Sequence, residues 1–205
     1  MAVTEQSARR RRNPRGQGEK LRDDIIEAAS RLLADPASPP LTLRAVARAV
    51  GVAATSVYLH FADIQSLVLA VAERRFSELV QVQDEALDSA ASPRDRLLAG
   101  CLGYCEFGLA HPGHYQVMFV SQLPTMENVP IEEVPGYRVF QRLVDAVTEA
   151  MPAPPAPPTP PDAFTTATLI WQQLHGIVSL RISRPRFPWP PLQTAVTESL
   201  TRLLP

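Results

Sequence analysis

The sequence predicts an all-α protein, with a three-helix helix-turn-helix domain first and a larger helical bundle behind it. Three observations carry that expectation. Apolar residues recur at helical spacing through most of the 205-residue chain, and no convincing segment alternates with period 2. Within residues 41–67, two short helical patterns are bent around Gly51. Capping residues and proline breaks fall where the patterns start and stop.

Taken in order, residues 1–18 are polar, with Arg9, Arg10, Arg11, Arg12 and Arg15 among Pro14, Gly16 and Gly18, and are expected to form a disordered basic arm. Such an arm can lay arginines into a narrow minor groove or remain a solvated tail, and the composition alone leaves both open. From residue 19 to about 34, Leu21, Ile25, Ala28, Ala29, Leu32 and Leu33 form one apolar stripe. A proline-broken loop over 35–40 leads to Thr42, a good N-cap for a helix whose face is Leu43, Val46, Ala47 and Val50. Gly51 can take the left-handed conformation that turns the chain sharply, and a second helix follows over 54–60. Asp63 caps a third, which carries Leu67, Val68, Val71 and Phe76 on one face to about residue 82.

In the second part, Ser92, Pro93 and Asp95 mark a helix start, and that helix runs to about Ala110. His111, Pro112 and Gly113 break it before a short segment with Tyr115, Met118 and Phe119. A loop rich in Pro, Thr and Glu ends near Val134, and an amphipathic helix with Val139, Phe140, Leu143, Val144 and Val147 spans 136–151. Residues 152–161, PAPPAPPTPP, suit an extended spacer, an SH3-type ligand role being conceivable for them. Asp162 caps a helix to about Ile182, and a last helix occupies 190–204. The expected division is an arm over 1–18, a helix-turn-helix domain over 19–66, and a second domain over 67–205.

Charge separates the same two parts. Formal net charge is -1, yet residues 9–75 hold twelve basic against seven acidic side chains, while 76–205 hold eight against thirteen. Phosphate neutralisation supplies much of DNA affinity, so the basic half is the half suited to a duplex. No run of some 18 apolar residues occurs, and the arginine-rich start lacks a signal peptide's apolar core, so a cytoplasmic, nucleoid-associated protein with no membrane partner is expected.

Ala45-Val46-Ala47, Gly51-Val52 and Val57-Tyr58-Leu59-His60-Phe61 resemble the DNA-binding domain of TetR-family transcriptional regulators. The resemblance places Ala54, Thr55 and Ser56 at the start of a recognition helix, where side chains meet base edges in the major groove. It gives Tyr58 and His60 phosphate contacts, and leaves Val57 and Phe61 to the core. For Tyr58, packing is the competing role. Thr42 can hold a phosphate through hydroxyl or backbone, and Arg44 can reach a base or phosphate. Family members often carry a lysine where this chain has Ile64; the helix N-terminus there still offers backbone amides to phosphate.

More weakly, His111-Pro112-Gly113 through Phe119, with Trp171, His175 and Gly176, resemble the WHG-type effector domain of some members. That implies an all-α domain for ligand binding and dimerisation, with the last two helices pairing with their twins in a four-helix bundle. Tyr104, Phe107, Tyr115, Met118, Phe119, Phe140, Trp171 and His175 are candidates to line a largely apolar effector cavity, although aromatics also simply fill cores.

No Gly-rich phosphate loop, GxSxG or HExxH occurs, so no enzymatic constellation is expected. Cys101, Cys105, His111 and His114 have the residue types of a zinc site, but cysteines on an apolar face are usually just buried, and neither metal nor cofactor is expected. The resulting expectation is a homodimeric repressor that binds double-stranded operator DNA and is released by a small, largely apolar effector. A helical ligand-binding protein that has lost specific DNA binding, or an activator, are the alternatives.

Overall fold

The computed structural model describes residues 17–35, 37–88, 92–119, 129–151 and 162–204. Among them it has nine α-helices, one 3₁₀ turn and no strand. The arginines of the arm, the spacer over 152–161, and much of the loop before Val134 lie outside the described residues.

Helix α1 spans Gln17–Ala34, beginning inside the stretch assigned to the arm despite Gly18 in its first turn, where Glu19 favours the helix N-terminus. Helix α2, Leu43–Val50, has the expected ends. Thr42 Oγ1 accepts from the Ala45 amide at 3.1 Å, and Gly51, at φ 78°, donates its amide to the carbonyls of Ala47 and Arg48. Helix α3 is only Ala54–Tyr58, two residues shorter than expected. The amides of His60 and Phe61 both turn back to the Val57 carbonyl, at 2.9 and 3.0 Å, which closes the helix early.

Helix α4, Ile64–Asp88, runs six residues beyond the expected end, since Gln83 to Leu87 contains no breaker. Helix α5, Pro93–Ala110, starts from Ser92, whose hydroxyl accepts from the Asp95 amide at 3.2 Å. Helix α6, Pro112–Phe119, follows directly. An unanticipated 3₁₀ turn occupies Ile131–Glu133 ahead of helix α7, Tyr137–Ala150. Asp162 caps helix α8, Ala163–Ser183, by accepting from the Thr165 amide at 2.7 Å, and helix α9, Leu192–Leu203, closes the described chain.

Two apolar cores organise these helices. One gathers Ile25 and Ala29 of α1, Val46 of α2, Val57 of α3, and Leu67 and Val71 of α4. The other begins one residue later on α4, with Ala72, Phe76 and Leu79, and takes in α5 to α9. Each fully buried Val, Leu or Ile contributes about 1.5–3 kcal/mol, so packing rather than propensity holds the five-residue α3 in place. Val117 of α6 belongs to the first core although its helix follows α5 in the chain. Arg75 of α4 is buried and pairs with Glu27 of α1 and with Glu78, which ties α1 to α4 beside that junction. No described helix is long and apolar enough to cross a membrane.

Candidate functional site

The first site is the outer face of α2 and α3. Val57 and Phe61 are buried, which turns the intervening Tyr58 and Leu59 outward at 53% and 85% exposure. Thr42, Arg44 and Thr55 are exposed, and Ser56 and His60 are half-buried. Ala54 is different: it packs partly against the first core, so only its outer edge is available. Arg48 is exposed one helical turn beyond Arg44, and this second cation went unnoticed in the sequence although its i, i+4 spacing was there to read. Arg22 of α1 lies over the Phe61 ring, 5.2 Å from its centroid, at the margin of the same region.

The α4 N-terminus departs from the expectation of amides free for phosphate. Asp63 Oδ1 accepts from the Ser66 amide at 2.7 Å, and Ser66 Oγ faces the Asp63 amide at 3.4 Å. These contacts with Ser66 hold the Asp63 carboxyl below its ordinary range, so the helix end carries its own anion. Ile64 packs against the first core rather than toward solvent.

The second site is a cavity of about 440 Å³ between α4, α5, α6, α7 and α8. Of the candidate residues, Tyr104, Met118, Phe119, Phe140 and Trp171 line it. Phe107, Tyr115 and His175 do not. Phe107 packs on His111, with ring centroids 5.2 Å apart, while Tyr115 and His175 stand behind Tyr104 as a hydrogen-bonded pair. Burial pushes the Tyr115 hydroxyl up to about 12 and Tyr104 beyond its ordinary range, so both keep their protons. Tyr104 thus reaches Tyr115 at 3.3 Å, and Tyr115 donates to His175 Nδ1 at 2.6 Å. Burial also lowers the His175 pKa, which favours the neutral ring that this donation requires.

Sequence reasoning missed Phe76 and Gln83, which enter the wall from α4. The early end assigned to that helix hid Gln83. Cys101 also lines the cavity; burial raises both thiols, Cys105 to about 12, which keeps them protonated and unreactive. His111 stacks on His114 at 5.3 Å, and the described residues hold no group of three or more potential ligands arranged for a metal.

An exposed helix-turn-helix face joined to a helical bundle with an apolar cavity is the architecture of a DNA-binding regulator. Comparison with known families agrees. A family model for the Tetracyclin repressor-like C-terminal domain matches residues 97–204, and one for bacterial regulatory proteins of the tetR family matches residues 25–71. The chain belongs to the TetR family of DNA-binding transcriptional regulators, and is not an enzyme.

Several solved structures share the fold. A protein of unknown function from Rhodococcus sp. RHA1 is 25% identical, with a TM-score of 0.74 over 96% of this chain and 97% of that one. A TetR family transcription regulator from Marinobacter aquaeolei VT8 is 18% identical, with a TM-score of 0.69 over 92% and 97%. The regulator FadR from Bacillus subtilis, in complex with stearoyl-CoA, is 14% identical, with a TM-score of 0.70 over 89% and 97%.

Proposed function

We propose that this regulator is a homodimeric repressor released from its operator by a small, largely apolar effector. The observation that carries the reading is that one continuous helix serves both sites: α4 contributes Leu67 and Val71 to the helix-turn-helix core and Phe76 to the cavity wall. An effector that fits better when α4 is tilted shifts the dimer away from its DNA-competent spacing, and acts only through that difference in affinity. The stearoyl-CoA complex of FadR gives a precedent for small-molecule binding on this fold.

In this reading residues 19–66 are the DNA-binding unit and 67–205 the effector and dimer unit. Thr55 and Ser56 meet base edges, with Ala54 contributing apolar contact at the helix start. Thr42, Arg44, Tyr58 and His60 hold phosphates. Tyr104, Met118, Phe119, Phe140 and Trp171 surround the effector, with Tyr115 and His175 bracing Tyr104 from behind. Dimerisation is supported by an unpartnered stripe on α8, where Leu169, Gln173 and Leu180 are exposed and a Cβ at Gly176 would meet nothing within 4 Å. That stripe suits close approach of a second α8, setting two recognition helices about 34–36 Å apart for successive major grooves. The protein then acts in the cytoplasm on nucleoid DNA.

The test is a fluorescence anisotropy titration against DNA from the protein's own promoter region, with scrambled DNA as control, at two salt concentrations. Preferential binding that weakens steeply with salt is expected. Equal affinity for both DNAs would overturn operator recognition at this site.

A further inference from the structure

Gln83 is the feature of the cavity that the fold leaves unexplained. It enters the wall from α4 at 8% exposure, and its Oε1 has no hydrogen-bond partner. Buried acceptors are rarely left unmade in native structures, because the lost hydration is not repaid. The carboxamide is thus an unsatisfied polar group in an otherwise apolar wall, and a turn about its terminal bond would offer the oxygen to a ligand in the cavity. A carboxamide can rotate to present either its oxygen or its amide nitrogen, and a hydroxyl, being both donor and acceptor, satisfies either.

Charge decides against an ionised ligand. The wall's two cations are already committed, Arg96 to Glu149 at 2.9 Å and Arg142 to Asp84. Both pairs are partly exposed to water, so an anionic head would have to compete for one of these arginines with a carboxylate already in place. Glu132 and Glu133, exposed on the turn that carries Ile131 into the wall, add further negative charge nearby. A cationic head would give up its hydration for carboxylates that are either paired with these arginines or exposed to water. Elsewhere the wall carries five rings, those of Phe76, Tyr104, Phe119, Phe140 and Trp171.

We propose that the effector is an uncharged, largely apolar hydroxyl compound, its hydroxyl held by Gln83 and its body lying among these rings. The proposal rests on the cavity being the effector site. A volume of about 440 Å³ accommodates a compound of the size of an alkylphenol.

The experiment uses full-length protein carrying Trp189→Phe, so that Trp171 in the cavity wall reports binding by its fluorescence. The probes are 4-octylphenol, 4-octylanisole and 4-octylbenzoate, which share a body and differ in the head. The phenol is expected to bind about tenfold more tightly than either of the others, the factor one buried hydrogen bond supplies. In Gln83→Leu, and in the length-matched Gln83→Met, phenol and anisole should bind alike. Benzoate binding best, phenol and anisole binding alike in the Gln83 protein, or a phenol preference surviving both substitutions, would each overturn the hydroxyl assignment while leaving the cavity as the effector site. Binding of none of the three would overturn the effector-cavity reading together with it.

Discussion

Gly113 sits where α6 crosses the end of α1, and a single methyl group added there tests how the two parts of the molecule are joined. A Cβ on Gly113 would lie 2.5 Å from Ala34 Cα and 2.7 Å from its carbonyl oxygen, and would also meet Ala34 Cβ. Unstrained contacts between such atoms need about 3.5–4.0 Å, so the C-terminus of α1 must retreat by about 1 Å. The obstacle is backbone and cannot rotate away. Overpacking of this kind costs about 1–3 kcal/mol, and a rigid neighbour puts Gly113→Ala near the upper end. The gain in helix propensity returns at most about 1 kcal/mol, leaving a net loss of about 2 kcal/mol. For a chain of this size that lowers the melting temperature by about 4–8 °C. Thermal denaturation followed by circular dichroism reads the loss, and anisotropy with operator DNA reads the displacement of α1 beneath α2. Ala34→Gly in the same chain should rescue only part, because the Ala34 Cα and carbonyl oxygen remain. A Gly113→Ala protein that melts within about 1 °C of the parent and binds DNA equally well would refute the close packing of α1 on α6.

Three further outcomes are expected. Tyr58→Phe combined with His60→Ala should weaken operator binding about tenfold in anisotropy titrations, with an unchanged melting curve, since Tyr58 is exposed and His60 only half-buried. Gly100→Ala should stabilise the protein by about 0.5–1 kcal/mol in chemical denaturation, because Gly100 lies inside α5 and an added Cβ would meet nothing within 4 Å. His175 and His114 both have pKa values lowered mainly by burial from the ordinary 6.5, so the unfolded chain takes up protons that the folded chain refuses. Stability measured across pH should therefore be lost as pH falls below about 6.5, and His175→Gln should flatten that slope without abolishing it.

The helix-turn-helix was legible because its signals are local. Thr42 and Asp63 fix helix starts through side-chain oxygens, Gly51 fixes an end through its left-handed backbone, and Val57 and Phe61 declare the buried face by spacing alone. The family resemblance rested on that same stretch. The end of α4 was not legible, because Gln83 and Asp84 read as solvent-facing, and only α7 makes one a wall residue and the other a partner for Arg142. Of the aromatic residues marked for the cavity, Tyr104 and Tyr115 look equivalent in the chain. Which one faces the cavity and which one backs it follows from where α8 brings His175, a long-range fact. The return contact from Ser66 to Asp63 was missed for a different reason. Ser66 lies three residues beyond Asp63, a capping-box spacing, but Ser replaces the usual Glu or Gln.

Val117 leaves the bundle to fill the helix-turn-helix core, with 1% of its surface exposed. A fragment ending after α4 would lack that side chain and leave a gap in the first core, where α6 packs on α1 and α4. The helix-turn-helix thus borrows one piece of its interior from a helix that follows α5 in the chain. Unfolding of either part withdraws support from the other, so the full chain should melt in a single cooperative transition, and a fusion that transplants the first 88 residues onto a foreign bundle must bring a substitute for Val117 with it.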